Sequence, residues 1–222
     1  MTQVSEREII SQIKKGNQAA LGSLLKSQQT RLFNVCLRMV GNRDDAAEVT
    51  QETFLKVIAN ISKYRGDAKL TTWMTRIAIN QSISFLRKRK YRLVVSLDEP
   101  RGTSGGGSGY DDQATALRAQ IADDREPGPE LSVEKKEMLG KLQEAMGDLE
   151  EEFRAILILR DIEQMEYKQI ADVLHLPQGT VKSRLFRARL ALREAMQKRC
   201  SDEKSDRGAM SGAAGQGEVQ HD

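Results

Sequence analysis

The chemistry this sequence can support is carried by cations rather than nucleophiles. From Gly179 to Arg199 seven basic residues (Lys182, Arg184, Arg187, Arg189, Arg193, Lys198 and Arg199) accompany a single acid, Glu194. Val181, Leu185, Ala188 and Leu192 recur at helical spacing, which turns Lys182, Ser183, Phe186 and Arg187 outward from the first turns. A helix that enters the major groove by its N-terminal end brings Arg or Lys to guanine edges. Thr180, beside the unpaired N–H groups of the helix start, suits a phosphate. An amphipathic surface helix could carry the same charge. The short apolar-patterned segment Tyr167–Leu174 and the Leu176-Pro177-Gln178-Gly179 break ahead of it favour a helix-turn-helix.

A second basic stretch has a different character. Between Asp67 and Asp98 there is no acid, while Lys69, Arg76, Arg87, Lys88, Arg89, Lys90 and Arg92 alternate with Trp73, Phe85 and Tyr91. Cations neutralise phosphates and aromatic faces stack on unpaired bases, so the mixture suits single-stranded nucleic acid. On charge alone, a solvated basic helix over a core tryptophan fits equally well. Upstream, Asp44, Asp45, Glu48, Gln51 and Glu52 give one helix an acidic stripe, with Glu48 and Glu52 a turn apart. Like charges at that spacing weaken an isolated helix and invite a basic partner. A solvated face or Mg²⁺-binding carboxylates are the other readings of the stripe, the latter without a His, a glycine-rich phosphate loop or a third carboxylate to support it.

Other classes are short of material. The two histidines, His175 and His221, and two distant cysteines, Cys36 and Cys200, cannot furnish a Ser-His-Asp or Cys-His hydrolase, a zinc cluster or a disulfide framework. Cys36 fits a core position and His175 a turn. The longest apolar run, Ile156–Leu159, is far below the roughly 20 residues of a membrane span. Met1 to Ile10 shows no secretion signal. With 39% apolar and 30% charged residues and a net charge of +3, the expectation is a cytoplasmic, non-catalytic protein without cofactor or metal.

The elements that must position these residues read as all-α. Apolar residues recur at helical spacing around Ile9–Leu25 and again over Leu32–Val40, where Gly41-Asn42 stops the run. A third helix starts at Asp44-Asp45 and carries Val49, Phe54, Leu55, Ile58 and Ile61. The loop Tyr64-Arg65-Gly66-Asp67 follows, and Thr71 or Thr72 is the expected cap of a fourth helix with Trp73, Ile77 and Ile79. Later, Met138, Leu142, Met146 and Leu149 form one face, and Asp148 with Glu151 suggests a capping box opening the next helix. Residues 93–131 hold eight acids against three arginines, a net charge of −5, and include the glycine-rich run RGTSGGGSGY. Two small helical domains are thus expected, 1–92 and 132–200, joined by a flexible acidic linker over 93–131 and followed by a disordered tail over 201–222.

Two segments carry a family likeness. DDAAEVTQETFLKVIANISKYRGDAKLTTWMTRIAINQSISFLRKRK resembles region 2 of the extracytoplasmic-function sigma factors, and LEEEFRAILILRDIEQMEYKQIADVLHLPQGTVKSRLFRARLALREAM resembles their region 4. The resemblance implies an alternative sigma factor that binds core RNA polymerase, reads a −35 duplex and melts a −10 element. It implies that Asp45, Glu48, Gln51 and Glu52 grip the clamp coiled coil, with the polymerase flap as a further contact. It assigns Tyr64, Arg65, Gly66, Asp67 and Lys69 to a loop that captures a flipped base, and Trp73, Arg76 and Asn80 to reading and opening of the −10 element. Arg87 and Lys88 join this DNA-binding set, as do Thr180, Lys182, Ser183, Phe186 and Arg187 at the −35 element. An anti-sigma factor is the further implied partner. Thr50, where the family has an apolar residue, and Glu166, where it has Ser, depart from the pattern. A freestanding helix-turn-helix regulator and a nucleic-acid enzyme are the rival classes; the first lacks a visible sensor pocket in 1–92, the second a metal-carboxylate cluster.

Overall fold

In the computed structural model, which describes residues 6–98 and 133–213, local signals set most helix ends. Helix α1 spans Glu6–Lys14. Asn17 caps α2 (Gln18–Val40) by accepting from the Ala20 N–H at 3.1 Å. Gly41 ends it at φ +88°, a left-handed conformation natural to glycine, with its N–H on the Leu37 carbonyl. Asn42 then caps α3 (Arg43–Asn60) through the Asp45 N–H at 2.8 Å. A 3₁₀ turn (Ile61–Lys63) and the loop 64–69 lead into α4 (Leu70–Asp98). The second half comprises α5 (Val133–Asp148), α6 (Glu151–Leu157) with a π-helical continuation over Ile158–Ile162, α7 (Tyr167–Leu174) and α8 (Gln178–Ala213). The described residues contain no strand, so the fold is all-α as the periodicity suggests. The glycine-rich part of the acidic linker lies outside the described residues.

The first half packs α2, α3 and α4 together. Leu32, Val35, Cys36 and Met39 meet Val49 and Val57 of α3 and Met74, Ala78 and Ile79 of α4, all essentially without solvent exposure. Thr50, Thr53 and Ser82 enter this core because each hydroxyl donates to the carbonyl four residues back, at 2.6, 2.7 and 2.8 Å. Thr50 is therefore as much a core residue as an apolar one would be. Burial pushes the Cys36 thiol pKa up, against hydrogen bonds from Thr50, Ser82 and Thr53. In the second half Ile156, Ile158, Leu159, Ile170, Val173, Val181, Leu185 and Ala188 close a smaller core.

Several boundaries differ from the sequence expectation. Asp148 does not cap α6: it ends α5 and pairs with Arg199 at 2.6 Å, and α6 starts from Glu150 without a side-chain cap. Neither Thr71 nor Thr72 caps α4. The helix begins at Leu70, ahead of both, and the Leu70 N–H is taken by the Glu6 carboxylate from α1. Helix α4 runs on to Asp98, and α8 continues past Cys200 to Ala213. The segment beyond Cys200 contains no proline to stop the helix, although Gly208 and Gly212 fall within it.

The halves are joined by polar contacts around α6. The buried Arg154 guanidinium donates to the Met39 carbonyl at the end of α2, and to the Gly147 and Leu149 carbonyls at 2.6 and 3.0 Å. Arg31 of α2 pairs with Glu163, and Arg87 of α4 reaches Glu151 and Glu152 at 3.5 and 3.2 Å. Replacing Arg154 by Ala strands carbonyls at two helix ends. Since a buried unpaired polar group costs about 1–3 kcal/mol, Arg154→Ala is expected to lower stability by roughly 2–4 kcal/mol in denaturant titrations. Arg154→Lys should recover only part, because an ammonium cannot fork across three carbonyls.

Candidate nucleic-acid and polymerase interface

Helix α8 divides its cations. Arg184 is held by Glu152, Arg189 by Asp161 at 2.5 Å, and Arg199 by Glu144 and Asp148 at 2.6 Å each. The hydrogen bond to Asp161 raises the Arg189 pKa further. Lys182 and Arg187 are exposed and hold no ion pair among the described residues. Between them Phe186 projects with 71% of its surface in water, while Val181, Leu185 and Ala188 are buried beneath. Ser183 is exposed, its hydroxyl donating to the Thr180 carbonyl at 3.0 Å. Thr180 itself stands half-buried at the helix start, its N–H on the Pro177 carbonyl. The turn ahead is made by His175 in the left-handed region, φ +54°. Glu166 starts α7 with its N–H accepted by the Gln169 side chain at 3.0 Å, so the departure from Ser leaves one arm of a capping box intact.

The loop 64–69 has an inside and an outside. Tyr64 is buried, its ring 5.4 Å from that of Trp73 and tilted by 54°. Its hydroxyl donates to the Ala68 carbonyl at 2.5 Å, with the Glu6 carboxylate at 3.3 Å. Burial and the Glu6 charge push the phenol pKa up to about 12. Arg65, Gly66, Asp67 and Lys69 face solvent, and Gly66 takes φ +84°, which a side chain would strain. Trp73, Arg76 and Asn80 lie half-buried along one face of α4. The loop, Trp73 and Arg76 line a cleft of about 480 Å³ whose opposite wall is Gln169, Asp172 and Val173 of α7. Arg87 is committed to Glu151 and Glu152, whereas Lys88 lies exposed in a groove that also holds Glu48 and Glu52.

The acidic stripe on α3 is partly tied down. Asp45 accepts from Arg89 at 2.7 Å, and Glu52 from the Gln81 amide at 2.9 Å, which in turn accepts from Lys56. Glu48 is exposed and Gln51 half-buried. Leu55 and Ile58, expected on the apolar face of this helix, point outward instead, 61% and 43% exposed. Their phase was legible: Leu55 lies three residues beyond Glu52 and seven beyond Glu48, on the acidic face. The stripe is therefore a mixed ridge, acidic with an apolar end. Among the described residues no group of three or more His, Cys, Asp or Glu could hold a metal ion, and no helix is long and apolar enough to cross a membrane.

Comparisons with known proteins place both halves in one family. Residues 24–92 match the Sigma-70 region 2 family and residues 139–192 the Sigma-70, region 4 family. The ECF RNA polymerase sigma factor SigW of Bacillus subtilis is 31% identical over 187 residues, covering 84% of this chain and 94% of the relative. The RNA polymerase sigma-H factor of Pseudomonas aeruginosa is 29% identical over 202 residues, 89% of this chain and 96% of the relative. Two solved structures share the fold. The sigma factor RpoE of Bartonella quintana, in complex with the anti-sigma factor NepR, superposes with TM-score 0.58 at 21% identity over 79% of this chain and 96% of the other. CnrH, in complex with the cytosolic domain of CnrY, gives 0.55 at 20% over 87% and 97%. With a region 2 that displays the aromatic-basic face of α4 and a region 4 that displays an uncommitted basic helix start, the chain belongs to the ECF sigma factors: it is an alternative sigma factor, not itself an enzyme, that directs promoter-specific transcription initiation by RNA polymerase.

Proposed function

We propose that this sigma factor reads the −35 duplex through Lys182, Ser183, Phe186 and Arg187, with Thr180 on a phosphate. The observation that carries the reading is Phe186, an aromatic ring left 71% in water between two uncommitted cations on the first turns of α8. An exposed ring there suits a thymine methyl, and an arginine fork suits guanine. In the same reading Arg65, Lys69, Trp73, Arg76 and Asn80 bind the opened −10 strand, Tyr64 supporting the loop from within, and Arg87 and Lys88 extend the basic track. The clamp of the polymerase takes the ridge of Asp45, Glu48, Gln51 and Glu52, to which exposed Leu55 and Ile58 add apolar contact. Residues 1–92 then serve polymerase binding and the −10 element, residues 132–200 serve the −35 element and the flap, and 93–131 and 201–222 are linker and tail. Work on chromosomal promoters makes the protein cytoplasmic.

An anti-sigma factor is the further partner in this reading, supported by the similar sigma factor RpoE of Bartonella quintana, which is bound to the anti-sigma factor NepR. The surface available to it is an apolar groove of about 450 Å³ between the halves, walled by Leu37, Leu139, Leu142, Met146, Ile162 and Leu192.

Two measurements test the DNA reading. Binding of holoenzyme to single-base −35 variants at two salt concentrations should show Arg187→Ala relaxing sequence preference by about 1–3 kcal/mol at one position. Lys182→Ala should weaken all sites more evenly and reduce the salt dependence. If Arg193→Ala has these effects and the other two do not, the register of the helix is wrong. Trp73→Ala combined with Arg76→Ala should slow promoter opening, and a pre-melted −10 bubble should restore most of the activity. Failure of the bubble to rescue, with folding and core binding intact, rejects the melting role.

A further inference from the structure

Helix α1 lies upstream of the residues that match region 2, yet it holds both ends of the loop 64–69. At the near end, the Lys14 ammonium donates to the Tyr64 carbonyl at 2.8 Å. At the far end, the Glu6 carboxylate accepts from the Leu70 N–H, the first of α4, and lies 3.3 Å from the Tyr64 hydroxyl. Glu6, Ile10, Ile13 and Lys14 share one face of α1, and Ile10 and Ile13 are buried, so the apolar pair seats the helix and the charged pair brackets the loop. The arrangement supplies what the loop lacks. No residue of its own caps α4, and an unpaired helix N-terminus favours a carboxylate.

We infer that α1 is a positioning element for base capture: Glu6 and Lys14 fix the two ends of the loop so that Arg65, Gly66, Asp67 and Lys69 are presented in one conformation beside Trp73. The inference rests on the reading that this loop binds the opened −10 strand. Its physical content is preorganisation. A loop free to move would have to be ordered when the strand binds, at the expense of discrimination between bases. Glu6 and Lys14 touch no DNA in this account and act through Tyr64 and Leu70.

The test uses reconstituted holoenzyme, a promoter that it opens, and single-stranded −10 oligonucleotides with each base substituted in turn. Loss of a hydrogen bond to a charged group corresponds to about tenfold or more. Glu6→Ala is therefore expected to reduce discrimination at the captured position about tenfold. Glu6→Gln should keep most of it, because an amide oxygen still accepts from the Leu70 N–H. Lys14→Met should act in the same direction as Glu6→Ala. Core affinity and −35 duplex binding should stay near wild type, with the thermal midpoint lowered only by the few degrees that one hydrogen bond supports. In the free sigma factor, Trp73, the only tryptophan of the chain, should report a displaced loop by a red-shifted emission in Glu6→Ala and not in Glu6→Gln. Wild-type discrimination and emission in Glu6→Ala overturn the inference. Parallel losses of core affinity and thermal stability would make α1 merely structural and overturn it too. Arg65→Ala with Asp67→Ala separates the two levels. If that loop variant discriminates like wild type, the reading of the loop fails, while the Trp73 emission still decides whether α1 holds it.

Discussion

Every helix leaves carbonyls without a partner at its C-terminus, and here two such ends, those of α2 and α5, meet at one side chain. Arg154 gives one terminal nitrogen to Met39 and the other to Gly147 and Leu149. No carboxylate is hydrogen-bonded to it. The partial negative charge of two helix ends takes that role, with Glu151 and Asp148 near enough to favour the cation. Burial pulls its pKa down, and the neighbouring Arg89 adds to that pull, yet a guanidinium remains charged at any physiological pH. The position of α6 against α2 follows from this fork, and the pairs Arg31–Glu163 and Arg87–Glu151 form on either side of it.

The same logic decides which cations are left for nucleic acid. The acids of the second half sit mainly on α5, α6 and the π-helical turn, and Glu144, Asp148, Glu152 and Asp161 take Arg199, Arg184 and Arg189 out of circulation. These pairs tie α8 to its support. What remains is Lys182 and Arg187 in the first turns, flanking an exposed Phe186, with Arg193 and Lys198 exposed further along. Counting basic residues along α8 therefore overstates its capacity for DNA. The intramolecular partners thus anchor Arg184, Arg189 and Arg199 to the support and leave the other cations of the helix to solvent.

How far the sequence discloses this depends on the range of the interaction. The junction of α2 and α3 is legible because its determinants are adjacent: Gly41 for the left-handed turn, Asn42 for the cap. The start of α4 is misplaced because its cap comes from Glu6, 64 residues away, and no local pattern reports that. Asp148 resembles a cap by spacing but is drawn to Arg199 across the domain. Leu55 and Ile58 are apolar by type but lie on the acidic phase of α3, and their angle rather than their type decides that they face outward. Arg154 carries no sequence signal at all. Its partners are backbone carbonyls, which have no identity in a sequence.

Arg87 links the two halves of the molecule to their function. In the structure it pairs with Glu151 and Glu152, while on the basic track of α4 it stands two turns beyond Asn80. Its Nε and one terminal nitrogen face those carboxylates, so a phosphate brought to the same guanidinium lies close to two like charges. The cleft beside Trp73 and Arg76 is closed on its far side by α7, which sets Asp172 in the same space as Arg65 and Arg76. On the proposed reading, a strand following α4 from the loop toward Arg87 meets the second half of the protein, and binding it competes with the contacts that join the halves. Such competition is reciprocal: whatever free energy the joint adds to the closed arrangement is subtracted from the affinity for the strand. Salt weakens the exposed Arg87 pairs and the phosphate contact alike but leaves the buried Arg154 fork largely untouched. On the proposed reading, Arg154 thus bears on −10 affinity through the joint it holds, without meeting the strand.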